Sequence, residues 1–69
     1  MKIRTEKQYI AQTPQGEKNL CIGIHARLIF QDGSYHDGDI EAITEESVII
    51  SRGDGNHTYS VREIRNTEV

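Results

Sequence analysis

Sixty-nine residues leave room for one domain, residues 1–69, and a chain of that length buries only about 60% of its unfolded surface, so its core is thin. Eight Lys plus Arg against eleven Asp plus Glu give a net charge of -3, which provides no overall attraction for phosphate backbones. With no Trp, one Phe and three Tyr, there are few platforms for stacking bases. A fold this small often leans on a disulfide, a metal or self-association. The single cysteine, Cys21, forms no internal disulfide, and no basic start, apolar run and small-residue cleavage site precedes it, so a reducing, cytoplasmic setting is expected. The longest apolar runs are three residues, as at Val48-Ile49-Ile50, far short of the roughly 18 to 20 that cross a bilayer. No membrane partner is expected.

The first nineteen residues are ambiguous. Arg4 to Gln12 contains good helix formers, yet Tyr9 to Ala11 before Thr13-Pro14-Gln15-Gly16 reads as one arm of a hairpin, with Pro14 at the second turn position. The spacing predicts an extended strand, with a short helix as the alternative, appended to the main domain. From Leu20 to Phe30 every even position is apolar (Leu20, Ile22, Ile24, Ala26, Leu28, Phe30), the period-two signature of one half-buried strand. Gly23 within it marks a bulge or a bend at a barrel corner.

Gln31-Asp32-Gly33-Ser34 supplies a turn into a second strand, Tyr35 to Ile43, whose even face carries Gly38, Ile40 and Ala42. Only an odd loop brings the two apolar faces together. A three-residue loop of Asp32-Gly33-Ser34 sets Phe30 against His36, Leu28 against Gly38 and Ala26 against Ile40, and it places Arg27 opposite Asp39 and His25 opposite Glu41. Thr44-Glu45-Glu46 turns into a strand from Ser47 to Arg52 with Val48 and Ile50 inward. A four-residue loop, Gly53-Asp54-Gly55-Asn56, then pairs Ile50 with Tyr59 and Val48 with Val61. Val61 and Ile64, three apart, predict a short 3₁₀ turn before a last strand from Ile64 to Val69.

Little here points to chemistry. His25, His36 and His57 lack the close spacing of metal ligands, and the ordinary reading as surface or edge histidines is preferred, with no metal and no cofactor. Cys21 and the scattered serines have no base partner at a fixed spacing, and a barrel this small has no room for a water-excluding pocket; no enzyme activity and no small-molecule substrate are expected. Arg52-Gly53-Asp54 spells an integrin-type tripeptide, but its glycine is explained by the turn. The acidic run Asp37, Asp39, Glu41 is a solvated outer face that either meets a basic protein partner or deters edge-to-edge pairing.

The order Asp32-Gly33, Gly38, Ile40, Ile43 and the closing segment Ile64-Arg65-Asn66-Thr67-Glu68-Val69 resemble the Sm-like family of small β-barrels, over about residues 24–69. Thr44 stands where that family usually has an aspartate, and Ser47-Val48 where RNA-binding members hold a base with asparagine. The resemblance implies an all-β, strongly bent antiparallel barrel of about five strands, SH3-like in outline, whose fourth and fifth strands offer edges for assembly into rings. It implies Arg65 and Asn66 as the RNA contacts, to which the RNA-binding reading adds the neighbouring Arg62. Two readings follow. One is a non-enzymatic binding or regulatory module that meets a protein partner, or itself, through the acidic face or a strand edge, as an accessory protein does. The other is an oligomeric RNA-binding protein.

Overall fold

The computed structural model describes all residues, Met1–Val69. Eight strands follow in chain order: β1 (Lys2–Thr5), β2 (Tyr9–Thr13), β3 (Gly16–Leu20), β4 (His25–Phe30), β5 (Tyr35–Ile43), β6 (Ser47–Arg52), β7 (Gly55–Ser60) and β8 (Ile64–Glu68), with one 3₁₀ turn, Val61–Glu63, between the last two. All pairings are antiparallel. The chain is therefore all-β, and no helix in it is long and apolar enough to cross a membrane.

Residues 1–20 form a three-stranded sheet of order β1-β2-β3, and the remainder forms a five-stranded sheet of order β7-β6-β5-β4-β8. The expectation of an extended N-terminal segment thus understates it, and its helical alternative is absent. The expected single strand from Leu20 to Phe30 is also two strands. Leu20 ends β3, residues 21–24 turn with Gly23 at φ 95°, and β4 begins at His25. A glycine in that left-handed region reverses the chain where a side-chain-bearing residue would be strained. Even-phase Ile22, predicted inward, consequently lies 57% exposed.

The five strands are not closed into a barrel, because β7 and β8 do not pair. The three-stranded sheet supplies the missing cover instead: Ile3, Ala11 and Leu20 join Ala26, Leu28, Phe30, Ile40, Ile43, Val48, Ile50, Val61 and Ile64 in one apolar cluster. At about 25 cal/mol per Å² of apolar surface removed from water, this shared burial is the main force joining the sheets. Where the sheet bends, Gly38 on β5 runs so close to β6 that a Cβ there would meet the Ser51 carbonyl oxygen.

Both predicted hairpin registers keep their phase and slip by two residues. Phe30 N–H donates to Ser34 O (2.8 Å), so the first loop is Gln31-Asp32-Gly33, and Leu28 faces His36, Arg27 faces Asp37, and His25 faces Asp39. Asp32 Oδ1 accepts from Ser34 N and Oγ, a local turn that fixes the loop one residue earlier than predicted. The second loop has two residues, Gly53-Asp54, so Ile50 faces His57 and Val48 faces Tyr59. A bulge at Glu41 shifts β5 against β6 and turns Ile43 inward.

Candidate functional site

The acidic strand face carries its own cations. Arg27 on β4 makes a two-pronged contact with Asp37 across the ladder, Nε to Oδ1 at 2.9 Å and Nη2 to Oδ2 at 3.3 Å, while its guanidinium carbon lies 4.5 Å from the Tyr35 ring centre. The Arg27 hydrogen bond holds the Asp37 carboxyl below its ordinary pKa. His25 Nδ1 sits 3.1 Å from Asp39 Oδ1. Glu41 is exposed at the bulge. Of the three acidic candidates, Asp37 and Asp39 therefore belong to cross-strand pairs, and the predicted partners Asp39 for Arg27 and Glu41 for His25 each move by one pair in the corrected register.

The three residues marked for RNA contact are divided. Arg62 is exposed on the 3₁₀ turn and Arg65 is exposed on β8, but Asn66 is only 6% exposed. Its Oδ1 accepts from Lys18 Nζ (3.1 Å) and from the backbone N–H of Thr67 (2.9 Å). Arg62 lines both of the clefts described below, and Arg65 lines neither.

An aromatic group that sequence reasoning did not assemble lies at one end of the sheet. Tyr59 stacks between His36 and His57, with centroids 5.6 and 6.3 Å away and planes within 17°, and Phe30 packs against both His36 and Tyr59 at 5.6 and 5.0 Å. Arg52 Nη1 donates to the Tyr59 hydroxyl (3.1 Å). Phe30, His36 and Tyr59 border a shallow cleft of about 500 Å³. A second, more polar cleft of about 840 Å³ runs between β1, the β5–β6 turn and β7, past Thr58 and Ser60. The Arg52-Gly53-Asp54 tripeptide is the β6–β7 turn itself, with Asp54 Oδ1 2.7 Å from His57 Nε2; that contact keeps the Asp54 carboxyl below its usual range. No three His, Cys, Asp or Glu side chains converge as a metal site.

The two edges of the five-stranded sheet are built differently. Backbone groups of a strand alternate sides. On β8, Asn66 and Glu68 face β4 through their partners Ile29 and Arg27, so Thr67 faces outward. There its N–H is taken by Asn66 Oδ1 (2.9 Å) and its carbonyl by Lys18 Nζ (2.5 Å). The Ile64 carbonyl accepts from the Met1 nitrogen (2.8 Å) and from Gln31 Nε2 (3.4 Å). The three-stranded sheet and β8's own side chains thus cap this edge. On β7, Arg52 and Gly55 flank the two-residue turn, so Tyr59 and His57 share their hydrogen-bonded phase toward β6. Asn56, Thr58 and Ser60 therefore face outward, and their outward N–H groups take part in none of the bonds that link turns, loops and strands.

Charge separates the edges further. The other edge strands carry Lys2 and Arg4 (β1), Glu17 and Lys18 (β3), and Arg65 and Glu68 (β8), whereas β7 reads Gly-Asn-His-Thr-Tyr-Ser, with neither a Lys, Arg, Asp or Glu nor a proline. Charges and prolines are the usual means of discouraging strand addition. Comparison with protein-family models, with curated proteins and with solved structures gives no match.

Proposed function

We propose that the chain is a non-enzymatic binding module that captures a protein strand along β7. The observation that carries this reading is the contrast between the edges: β8 is capped at Thr67 by Lys18 and Asn66, while β7 is uncharged and leaves its outward N–H groups unbonded. Strand addition supplies affinity through main-chain hydrogen bonds and specificity through alternate side chains. The acidic face contributes less, because Arg27 and His25 already sit against Asp37 and Asp39. Thr58→Pro tests the reading by deleting one outward donor without touching the β6–β7 ladder. A partner captured from lysate by wild type and lost by the variant supports it; equal capture by a folded variant rejects it.

The Sm-like, RNA-binding reading is kept as the alternative on one observation. The strand order β8-β4-β5-β6-β7 leaves the fourth and fifth strands of the larger sheet at its two edges, as the resemblance implies. Against ring assembly stands the cap on β8, and against base recognition stands the commitment of Asn66 to Lys18 and Thr67. Arg65→Ala is expected to weaken RNA binding and flatten its salt dependence on this alternative, measured by titration; unchanged affinity rejects it.

A further inference from the structure

Resting on the strand-capture reading, we propose that the occupant of the β7 edge is a second copy of this chain, joined by a two-fold axis through Thr58. An edge strand pairs with its own copy when its outward groups, side chains and charges are self-complementary. β7 meets each condition in one antiparallel register. Its outward-facing residues are Asn56, Thr58 and Ser60, evenly spaced about Thr58, so a two-fold there sets Thr58 opposite Thr58 and Asn56 opposite the second copy's Ser60. Every hydrogen-bonding position then meets another. Ser60 caps the 3₁₀ turn Val61–Glu63, and in an i→i+3 turn that starts there its carbonyl is the first acceptor, so the register counts on four bonds: two between the Thr58 residues and two from Ser60 N–H to Asn56 carbonyls.

The side chains agree with that register. His57 falls opposite the second copy's Tyr59, which extends the His36–Tyr59–His57 stack across the axis; aromatic cross-strand pairs stabilise a sheet by about 0.2–1 kcal/mol. On the other face Thr58 meets Thr58, and no like charges oppose because β7 carries no Lys, Arg, Asp or Glu. Pairing of β7 with any other edge of a second copy meets charged strands, and at β8 it meets the Lys18–Asn66 cap. The result is a ten-stranded sheet continuous through two copies, and two-fold closure ends the assembly there. It also meets the requirement that a thin core places on a chain this short. A single edge strand buries little area, so the dimer is concentration-dependent rather than permanent.

The test uses light scattering behind size exclusion from micromolar to millimolar protein. Wild type is expected to move from 7.8 kDa to twice that mass. Thr58 is exposed, and Thr58→Lys and Thr58→Asp each place like charges at the axis, so each variant is expected to stay monomeric while an equimolar mixture of the two recovers the dimer. Circular dichroism checks that both fold; if either does not, Thr58→Pro replaces it, with a monomer expected. Wild type that remains monomeric throughout, variants that remain dimeric, or a mixture that fails to recover the dimer overturns the proposal. A monomeric wild type whose partner capture is abolished by Thr58→Pro removes only the second copy as occupant, whereas capture indifferent to Thr58→Pro removes the strand-capture reading itself.

Discussion

Strands β7 and β8 end the same sheet and have six and five residues, yet one is left open and the other is finished. The difference lies in what faces each edge. At β8 the finishing groups come from far along the chain, since Lys18 is 49 residues from the carbonyl it binds, and from the neighbouring side chain, Asn66 to Thr67 N–H. At β7 the nearest segment, β1, stands across the cleft that Thr58 and Ser60 line and takes none of the outward N–H groups, and the strand lacks the charges and proline that discourage addition. A small sheet that cannot close into a barrel must dispose of two edges. Here the N-terminal sheet takes up one, and the other keeps its outward N–H groups unbonded.

The largest effect is expected from a change that breaks the sheet between the two edges. Gly38→Ala drives a Cβ into the Ser51 carbonyl oxygen and to 3.2 Å from the Ile50 Cβ. Backbone has to move, and the cost is about 3 kcal/mol, at the upper end of overpacking effects, read as a lower urea midpoint.

Lys18→Met attacks the cap alone. It strips the Thr67 carbonyl and the Asn66 oxygen of their shared donor; Asn66 keeps the Thr67 N–H, but the Thr67 carbonyl is left unsatisfied at a cost of about 1–3 kcal/mol. The same variant opens β8, so β7 of another copy gains a landing site, and light scattering is expected to show species larger than a dimer that disappear when Thr58→Lys is added. If Lys18→Met destabilises the chain but leaves its mass unchanged, the cap serves stability only.

Thr67→Val separates the cap from the side chain beneath it. Thr67 Oγ1 is buried without a hydrogen-bond partner, while the backbone groups of Thr67 make the capping bonds. Replacing the hydroxyl by a methyl keeps the shape and removes a desolvated polar group, so stability rises by about 1 kcal/mol, measured by chemical denaturation.

The smallest effect concerns the strand face that both edges flank. Hydrogen bonding from Arg27 lowers the Asp37 pKa in the folded chain. A carboxylate with a depressed folded pKa contributes stability above its unfolded value, about 3.9, and that contribution is lost as pH falls through the folded value. Arg27→Gln is expected to move the Asp37 carboxyl back up toward the ordinary range in an NMR titration and to flatten the fall in stability below pH 4. An unchanged Asp37 titration contradicts the pairing. Because the pair is solvent-exposed, neutral-pH stability changes little.

Much of the larger sheet was legible because its residues alternate. β5 and β6 have the predicted bounds, Val48 and Ile50 face inward, and the spacing of Val61 and Ile64 marked the 3₁₀ turn. Register was legible only in phase: a slip of two residues keeps every side chain on its face, so alternation alone does not separate Arg27–Asp37 from Arg27–Asp39. The break at Gly23 was hidden for the same reason, since Leu20 and Ala26 continue one phase across a turn. The N-terminal sheet was obscured by helix-forming residues whose state was decided by burial of Ile3, Ile10 and Ala11 rather than by local preference. Asn66 shows the limit most clearly. An asparagine in a strand reads as an exposed polar group, and only the approach of Lys18 from β3 makes it part of an edge cap. The aromatic group likewise joins Phe30 and His36 to Tyr59 through contacts between non-neighbouring strands.

The contrast between the edges is tested most directly by residue-resolved amide hydrogen exchange over a range of protein concentrations. The account predicts that the Thr67 amide, bonded to Asn66 Oδ1, is protected at every concentration, while the Thr58 and Ser60 amides exchange freely in dilute solution and become protected as β7 pairs with a second copy. Thr58 amides that exchange freely at all concentrations contradict self-pairing, and a Thr67 amide as labile as that of dilute Thr58 contradicts the capped edge.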